Sequence, residues 1–448
     1  MREPAEIVIV GAGLVGLAAA YHLAVVHRRR GVVVVEAGEV VGLTSRMGTE
    51  AYRNWWPDPE MTAWVDRSID LLERCHARSG GRIGLSRRGY VFVSGDPTRA
   101  AALRARAARS SGYGAGPLRR HPGPEPYVRG PADGIDGAPT GIDVVEDPAL
   151  LRERFPFVGP QAIQAVHARR CGFVRCLDLG TWLLEQVIAA GGRLVRGEVV
   201  AIESAGGRVT GVRLAGGEAI AAGIVVAAPG PRLAAFSRLL GAPLPVVCEL
   251  HGKASLRDVR GVIPGDAPLM LWDEPVTLEW SAAEARALAD DPRRRRWLEP
   301  LPAGVHFRPR DGSIVMIWTF ESELLPPVFP PRFDPDLGEV LIRGLAAMIP
   351  GMRAYFGEGP RCVVDGGYYC KAPDNRPLVG AYGPAGAYLC AALSGYGVMG
   401  SQAAGEIVAA QIVGAPTPAH AVIADPARLG DPDFQRRLAR LDARQGQL

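Results

Sequence analysis

Two glycine-rich turns near opposite ends of the chain carry the residue types that hold a ligand against a helix N-terminus. The first is Gly11, Gly13 and Gly16 in "EIVIVGAGLVGLAAAYHLA". In this G-x-G-x-x-G pattern Gly11 permits a tight turn and Gly13 lets the backbone approach a pyrophosphate. Gly16 allows close packing of helix on strand, and the helix N-terminus faces the negative charge. Glu36 closes the next apolar run, "GVVVVEAG", 25 residues beyond Gly11. An acid at that point accepts hydrogen bonds from a ribose. The second turn is Ser394-Gly395-Tyr396-Gly397 in "AALSGYGVMGSQAAGEIVAAQIVG". It too reads as a strand end, a turn and a helix of small residues.

The elements around the first turn read strand, loop, helix, strand and acid, which is the nucleotide-binding fingerprint in its structural context. Between Thr181 and Gly230 a helix is followed by a strand near Arg193 to Val195, another through Val199 to Ile202, a hairpin, and a buried strand from Ile224 to Ala228. These elements are expected to return to the first sheet after an excursion of more than a hundred residues. A nicotinamide dehydrogenase usually completes its nucleotide domain in one segment. A discontinuous domain points to FAD.

Bulk properties exclude several other classes. The 448 residues suffice for two or three domain-sized units. Net charge is +4, from 51 basic and 47 acidic side chains, too balanced for a nucleic acid or an anionic membrane as partner. Seven scattered cysteines at 75, 171, 176, 248, 362, 370 and 390 show neither metal-site spacing nor a disulfide framework, so no metal is expected and a reducing cytoplasm fits. The apolar run Ile7 to Val26 lacks a basic leading region and a cleavage site, so it is read as core, with no export signal and no membrane span.

The sequence resembles the FAD-dependent amine oxidoreductases related to D-amino acid oxidase, and within these the branch holding sarcosine oxidase, glycine oxidase and dimethylglycine dehydrogenase. The resemblance covers nearly the whole chain. It rests on "GAGLVGLAAAYHL", the Glu36 strand, "LTSRMGTEAYRNWW", "VVAAPG", "GGYYCKAPDNRPLVG" and "ALSGYGVMG". It implies a cofactor held by Gly11, Gly13 and Gly16, by Glu36 and Ala37, and by Thr44, Ser45 and Arg46. Val199, Ala228 and Gly230 continue that surface. Gly395, Tyr396, Gly397, Val398 and Met399 present backbone donors and a helix dipole to the pyrimidine end of the isoalloxazine, favouring the anionic reduced flavin. On this reading the two glycine turns hold one long cofactor between them. The two covalent attachment sites of the family are missing, since Gly367 and Glu50 align where a cysteine and a histidine stand, so FAD is expected to be noncovalent. Cys370 lies near the first of them.

The implied reaction oxidises the C–N bond of a secondary or tertiary amine, an amino-acid derivative, to an imine by hydride transfer to flavin N5, with O2 or another acceptor taking the electrons. The protein then supplies orientation and a suitable field. The candidates are Arg53, whose guanidinium suits a substrate carboxylate, with Trp55 and Trp56 as pocket walls, and Tyr369 and Tyr396 beside the ring. Tyr396 replaces a histidine frequent in the family, and Met399 stands where sarcosine oxidase has a substrate-binding lysine. The strand "GSIVMIWTF", where fast oxidases carry a lysine, has none, and Lys253 and Lys371 are the only lysines in the chain. Of these, Lys371 follows Cys370 and is the candidate. His251 is read as structural.

The expected fold is α/β, with an α+β substrate domain: a discontinuous Rossmann-like FAD-binding domain from 1–90, 168–240 and 362–448, and an antiparallel-sheet substrate domain from 91–167 and 241–361. The alternatives are an FAD-dependent monooxygenase, disfavoured because no second G-D motif is evident, and a non-catalytic flavoprotein assembly factor.

Overall fold

The computed structural model describes residues 5–123, 127–320, 324 and 326–438. The outermost ends of the first and last expected cofactor-domain segments, and part of the Gly/Pro-rich loop after Ser110, lie outside the described residues.

Four β-branched residues, Ile7–Val10, form the centre of a six-stranded sheet. Its order is Leu378–Ala381, Ala387–Ala391, Ile224–Ala227, Ile7–Val10, Val32–Glu36 and Arg193–Arg196. All pairs are parallel except the first, an antiparallel edge. The inner strands Ile7–Val10, Val32–Glu36 and Ile224–Ala227 are covered on both faces, which is why they read as apolar runs. Ile7, Ile9, Val32 and Val34 point into one core with the helices, and Val8, Val10, Val33 and Val35 into another. The expected return of the chain is seen: Arg193–Arg196 and Ile224–Ala227 both join this sheet. Val199–Ala205, Arg208–Leu214 and Ala219–Ala221 instead make a separate three-stranded antiparallel sheet.

The helix Leu14–Tyr21 crosses the long helix Gly397–Val413 at very short range. A Cβ on Gly405 would stand 2.5 Å from the Ala18 carbonyl carbon, so only glycine allows this approach. The crossing brings the N-termini of helices from the two ends of the chain to one side of the sheet.

A nine-stranded sheet makes the second layer, ordered Val363–Lys371, Val247–Arg257, Ser313–Ile317, His306–Arg310, Leu269–Trp272, Tyr90–Ser94, Gln164–Ala168, Ile142–Val145 and Leu118–His121. It is mostly antiparallel, with two parallel pairs. One face packs under the helix Leu337–Ala346, through Met316, Phe307 and Met270. The other turns toward the six-stranded sheet. Val363–Lys371, the first strand of the expected 362–448 segment, pairs in this large sheet, as does Tyr90 at the end of 1–90.

Among the described residues no helix is long and apolar enough to cross a membrane, and no group of three or more His, Cys, Asp or Glu is placed to hold a metal ion.

Candidate functional site

The first glycine turn is shaped by contacts only glycine permits. Gly11 has φ +106°, and a Cβ there would stand 2.3 Å from the Ala228 carbonyl oxygen. At Gly16 it would meet the Gly11 carbonyl at 2.0 Å. Gly13 differs: its φ of −71° is ordinary, and the one atom near its absent Cβ is Ser45 Oγ at 3.3 Å. The bare face of Gly13 opens into a cavity of about 880 Å³. That is the size of a large ligand site.

Gly11, Gly13, Glu36, Ala37, Thr44, Ser45, Val199, Ala228 and Gly230 all line this cavity, as their sequence positions imply. Glu36 accepts hydrogen bonds from the Ala12 and Gly38 N–H groups, each at 2.7 Å, and so ties the glycine turn to the end of its neighbouring strand. Ser45 Oγ accepts from the Leu14 N–H at 3.2 Å, over the N-terminus of the first helix. Arg46, named with them, is exposed and lines neither this cavity nor the one beside it.

A smaller cavity of about 110 Å³ continues from the first and shares Gly13, Thr44, Ser45, Ala228 and Gly230 with it. Its far wall is the second glycine turn, through Ser394, Gly395, Gly397 and Val398, and its roof is Tyr369 and Cys370 from the nine-stranded sheet. The turn is strained, with Ala392 at φ +57° and Ser394 at φ +44°, values that cost free energy for non-glycine residues and cluster at functional sites. Ser394 Oγ is buried and has no hydrogen-bond partner among the described residues. Gly395 must be glycine, because a Cβ would stand 2.5 Å from Tyr369 Cε2. The helix Gly397–Val413 starts at this wall, and its N-terminal dipole faces the cavity. Thus the two glycine turns border one continuous space.

Three named residues turn elsewhere. Tyr396 is buried; its hydroxyl donates to the Asn375 carbonyl at 2.8 Å, and its ring meets Trp56 edge-on at 5.2 Å. Met399 lies in the helix core. Arg53 is buried, with Nε donating to the Trp55 carbonyl at 3.2 Å and its guanidinium 4.9 Å from the Trp56 ring. It lines neither cavity, although its charge acts on Tyr369 and His306. Burial pulls the Arg53 pKa down. Trp55 stacks on Phe92 at 5.0 Å, so the two tryptophans serve different cores.

The sheet face over the smaller cavity carries a polar stripe that sequence reasoning largely missed. Glu249, His251 and Lys253 alternate along one strand, opposite Tyr369, Gly367 and Asp365. His251 stacks on Tyr369, with ring centroids 3.9 Å apart. Glu249 accepts from Lys371 and pairs with His251 Nε2 at 3.2 Å. Although burial opposes it, these cationic and imidazole partners hold the Glu249 carboxyl down to about 2. Burial pushes Lys253, paired with Asp365, down to about 8. Two strands over, on His306–Arg310, Arg308 bonds Glu50 at 2.8 Å, and burial pushes His306 down to about 4. The strictly alternating polar residues of "CELHGKAS" were the available signal, since a period of two marks one face of a strand.

The two covalent attachment positions are closed by geometry as well as by residue type. A Cβ at Gly367 would stand 3.0 Å from Thr44 Cα, and Glu50 is occupied by Arg308, Arg310 and the Cys176 N–H.

The family model described as DAO, FAD dependent oxidoreductase, matches residues 6–411. The chain belongs to this family. As an FAD-dependent oxidoreductase it has FAD as its cofactor, and the glycine cradle, the acid at the strand end and the elongated cavity fit that molecule. No curated protein sequence matches the chain. Solved structures with the same fold include L-proline dehydrogenase from P. horikoshii, at TM-score 0.72 and 19% identity, covering 96% of this chain and 99% of that one. Glycine oxidase from Geobacillus kaustophilus gives 0.69 and 18%, over 93% and 96%. Iminodiacetate oxidase from Chelativorans sp. BNC1 gives 0.66 and 18%, over 92% and 97%.

Proposed function

We propose that this oxidoreductase oxidises the C–N bond of an amino-acid-like secondary or tertiary amine, with FAD held noncovalently along the two joined cavities. The observation that carries the reading is the shared space: glycine turns from both ends of the chain wall one cavity system, and Tyr369 roofs its narrow end. Glu36 receives the ribose, and Gly11 and Gly13 with the N-terminus of the first helix receive the pyrophosphate. Gly395, Gly397 and Val398 receive the ring. When bound, FAD supplies the acceptor for the hydride equivalent leaving the carbon beside nitrogen.

The chain's own part is to bind and orient. Tyr369, fixed by its stack on His251, presents a neutral phenol to the narrow cavity, because burial raises its pKa above the ordinary 10.0. The burial of the polar stripe excludes water, which strengthens its field on a bound substrate. Arg53 supplies positive charge behind Tyr369, the sign that holds a substrate carboxylate nearby. Lys371 acts through Glu249 as a positioning residue. The cofactor domain is the six-stranded sheet with its helices, and the substrate domain is the nine-stranded sheet. Of the proteins that share this fold, L-proline dehydrogenase and iminodiacetate oxidase carry secondary amines of this class in their names, and glycine oxidase carries a primary amino acid.

The test is an anaerobic titration of the yellow holoprotein with a panel of N-alkyl amino acids. Bleaching by an amine without nicotinamide supports the reading, and reoxidation on admitting air assigns O2 as acceptor. A flavin untouched by amines but reduced by NADPH overturns it in favour of a monooxygenase.

A further inference from the structure

The strands Val247–Arg257 and Val363–Lys371 place Cys248 directly opposite Cys370. Facing residues of an antiparallel pair stand about 4.5–5.5 Å apart at Cα, within the roughly 4.4–6.8 Å span that a disulfide requires. Side chains at facing positions share one face of the sheet. Cys248 Sγ donates to the Pro231 carbonyl at 3.5 Å. Both side chains are buried, yet each borders the ligand space: Cys248 lines the larger cavity and Cys370 the smaller. Pro231, the residue bonded to Cys248, lines both. The thiol pair therefore sits at the seam of the two cavities.

Two small buried residues can simply fill a sheet interior, as free cysteine often does. Burial alone would leave the thiols inert. The seam position changes this, because a small oxidant reaches them through the cavities. Each thiol acts on the other's proton, drawing the Cys248 thiol down and pushing Cys370 up, so the pair gives up its protons in sequence. One thiolate is thus available for attack before two are.

We propose that Cys248 and Cys370 form an oxidisable dithiol that closes to a disulfide when the cavities are empty and is shielded as two thiols when FAD fills them. The shielding half rests on the placement of FAD argued above; the dithiol itself does not. The oxidant is a small organic disulfide. The Cys248 thiolate attacks one of its sulfurs, releasing one thiol and leaving a mixed disulfide. Cys370, losing its proton, attacks the Cys248 sulfur and releases the second thiol. Two protein thiols are oxidised and one small disulfide is reduced to two thiols.

The full-length protein, with FAD bound and with FAD stripped, is exposed to hydroxyethyl disulfide under native conditions, quenched with acid, and its thiols counted after denaturation. Tryptic mapping by mass spectrometry locates the linkage. The stripped protein is expected to fall from seven titratable thiols to five, with Cys248 linked to Cys370, while the holoprotein keeps seven. The variants Cys248→Ser and Cys370→Ser are expected to form no internal disulfide. Equal loss of thiols in both forms overturns the shielding, and retention of all seven in the stripped protein, or a linkage between other cysteines, overturns the dithiol. If the protein takes up no FAD, the cofactor reading fails, while the linkage mapped in the FAD-free chain after exposure to hydroxyethyl disulfide still decides the dithiol. Because the mapping is done on the unmutated protein, a misfolded variant does not alter the outcome.

Discussion

Replacing Gly13 by alanine separates a cofactor role from a folding role. The backbone there has φ −71° and ψ 171°, which alanine adopts without strain. The added methyl meets only Ser45 Oγ at 3.3 Å, the rotatable end of a side chain. As Gly13 is the N-cap of the first helix, the folding cost is at most about 1 kcal/mol. The same methyl enters the cavity where backbone must approach a pyrophosphate. Losing one hydrogen bond to a charged group costs about 1.5–3 kcal/mol. At about 1.4 kcal/mol per tenfold, FAD should bind about 10- to 150-fold more weakly. Titrating stripped protein with FAD and following flavin fluorescence gives the affinity, and thermal melting of the same sample gives the stability. Gly405→Ala is the control: its Cβ would strike the Ala18 backbone at 2.5 Å. It should lose about 1–3 kcal/mol of stability by overpacking, with FAD affinity of the folded fraction unchanged. An unaltered FAD affinity in Gly13→Ala would refute the placement of the pyrophosphate.

Gly395→Ala should displace the Tyr369 ring, since its Cβ would stand 2.5 Å from Cε2; a shifted visible spectrum of the bound flavin is expected, and an unshifted one counts against a ring at that wall. Asp143 accepts hydrogen bonds from Arg119 at 2.6 and 2.8 Å, pairs with His121 at 2.8 Å and is bonded by Arg169, all away from the cavities. Asp143→Ala should therefore cost about 3–5 kcal/mol in urea unfolding by stranding buried charge, with FAD affinity unchanged. Burial, with Arg53 nearby, holds His306 at about 4 against an ordinary 6.5. Between those values the unfolded chain binds the extra proton, so stability falls as pH falls through this window, by about 3 kcal/mol in full. His306→Asn should flatten that slope in urea midpoints compared at about pH 7 and pH 4.5; an unchanged slope would mean His306 does not titrate as its burial requires.

The first glycine turn was legible because each of its requirements is local. Gly11 needs a positive φ, Gly16 needs close contact, and Glu36 ends a strand only a helix away. The C-terminal turn was legible as a glycine-rich strand-to-helix turn, although what makes Gly395 necessary is a tertiary contact, the Tyr369 ring. Which side of the helix after the turn faces the cavity was not legible. The helix Gly397–Val413 is small and apolar all round and buried on most faces, so no 3.6-residue period marks a cavity side. Tyr396 was expected beside the ring and Met399 among the backbone donors of the turn; the structure packs both side chains into the core. Arg53 was legible as a charge, but not its burial against Trp56, outside both cavities. The strand Val363–Lys371 pairs with a strand more than a hundred residues earlier, and such pairing leaves no local trace. The polar stripe of Glu249, His251 and Lys253 was written in the alternation of one strand, yet its meaning depended on knowing that this face is shared with Tyr369.

A crystal structure of the protein with FAD bound would probe the shared cavity most sharply. One extended FAD is expected, its ribose at Glu36, its pyrophosphate over Gly11 and Gly13, and its ring between Tyr369 and the turn Ser394–Tyr396. A ring lodged away from Tyr369 and Gly395, or a cofactor confined to the larger cavity, would show that the two glycine turns do not hold one molecule between them.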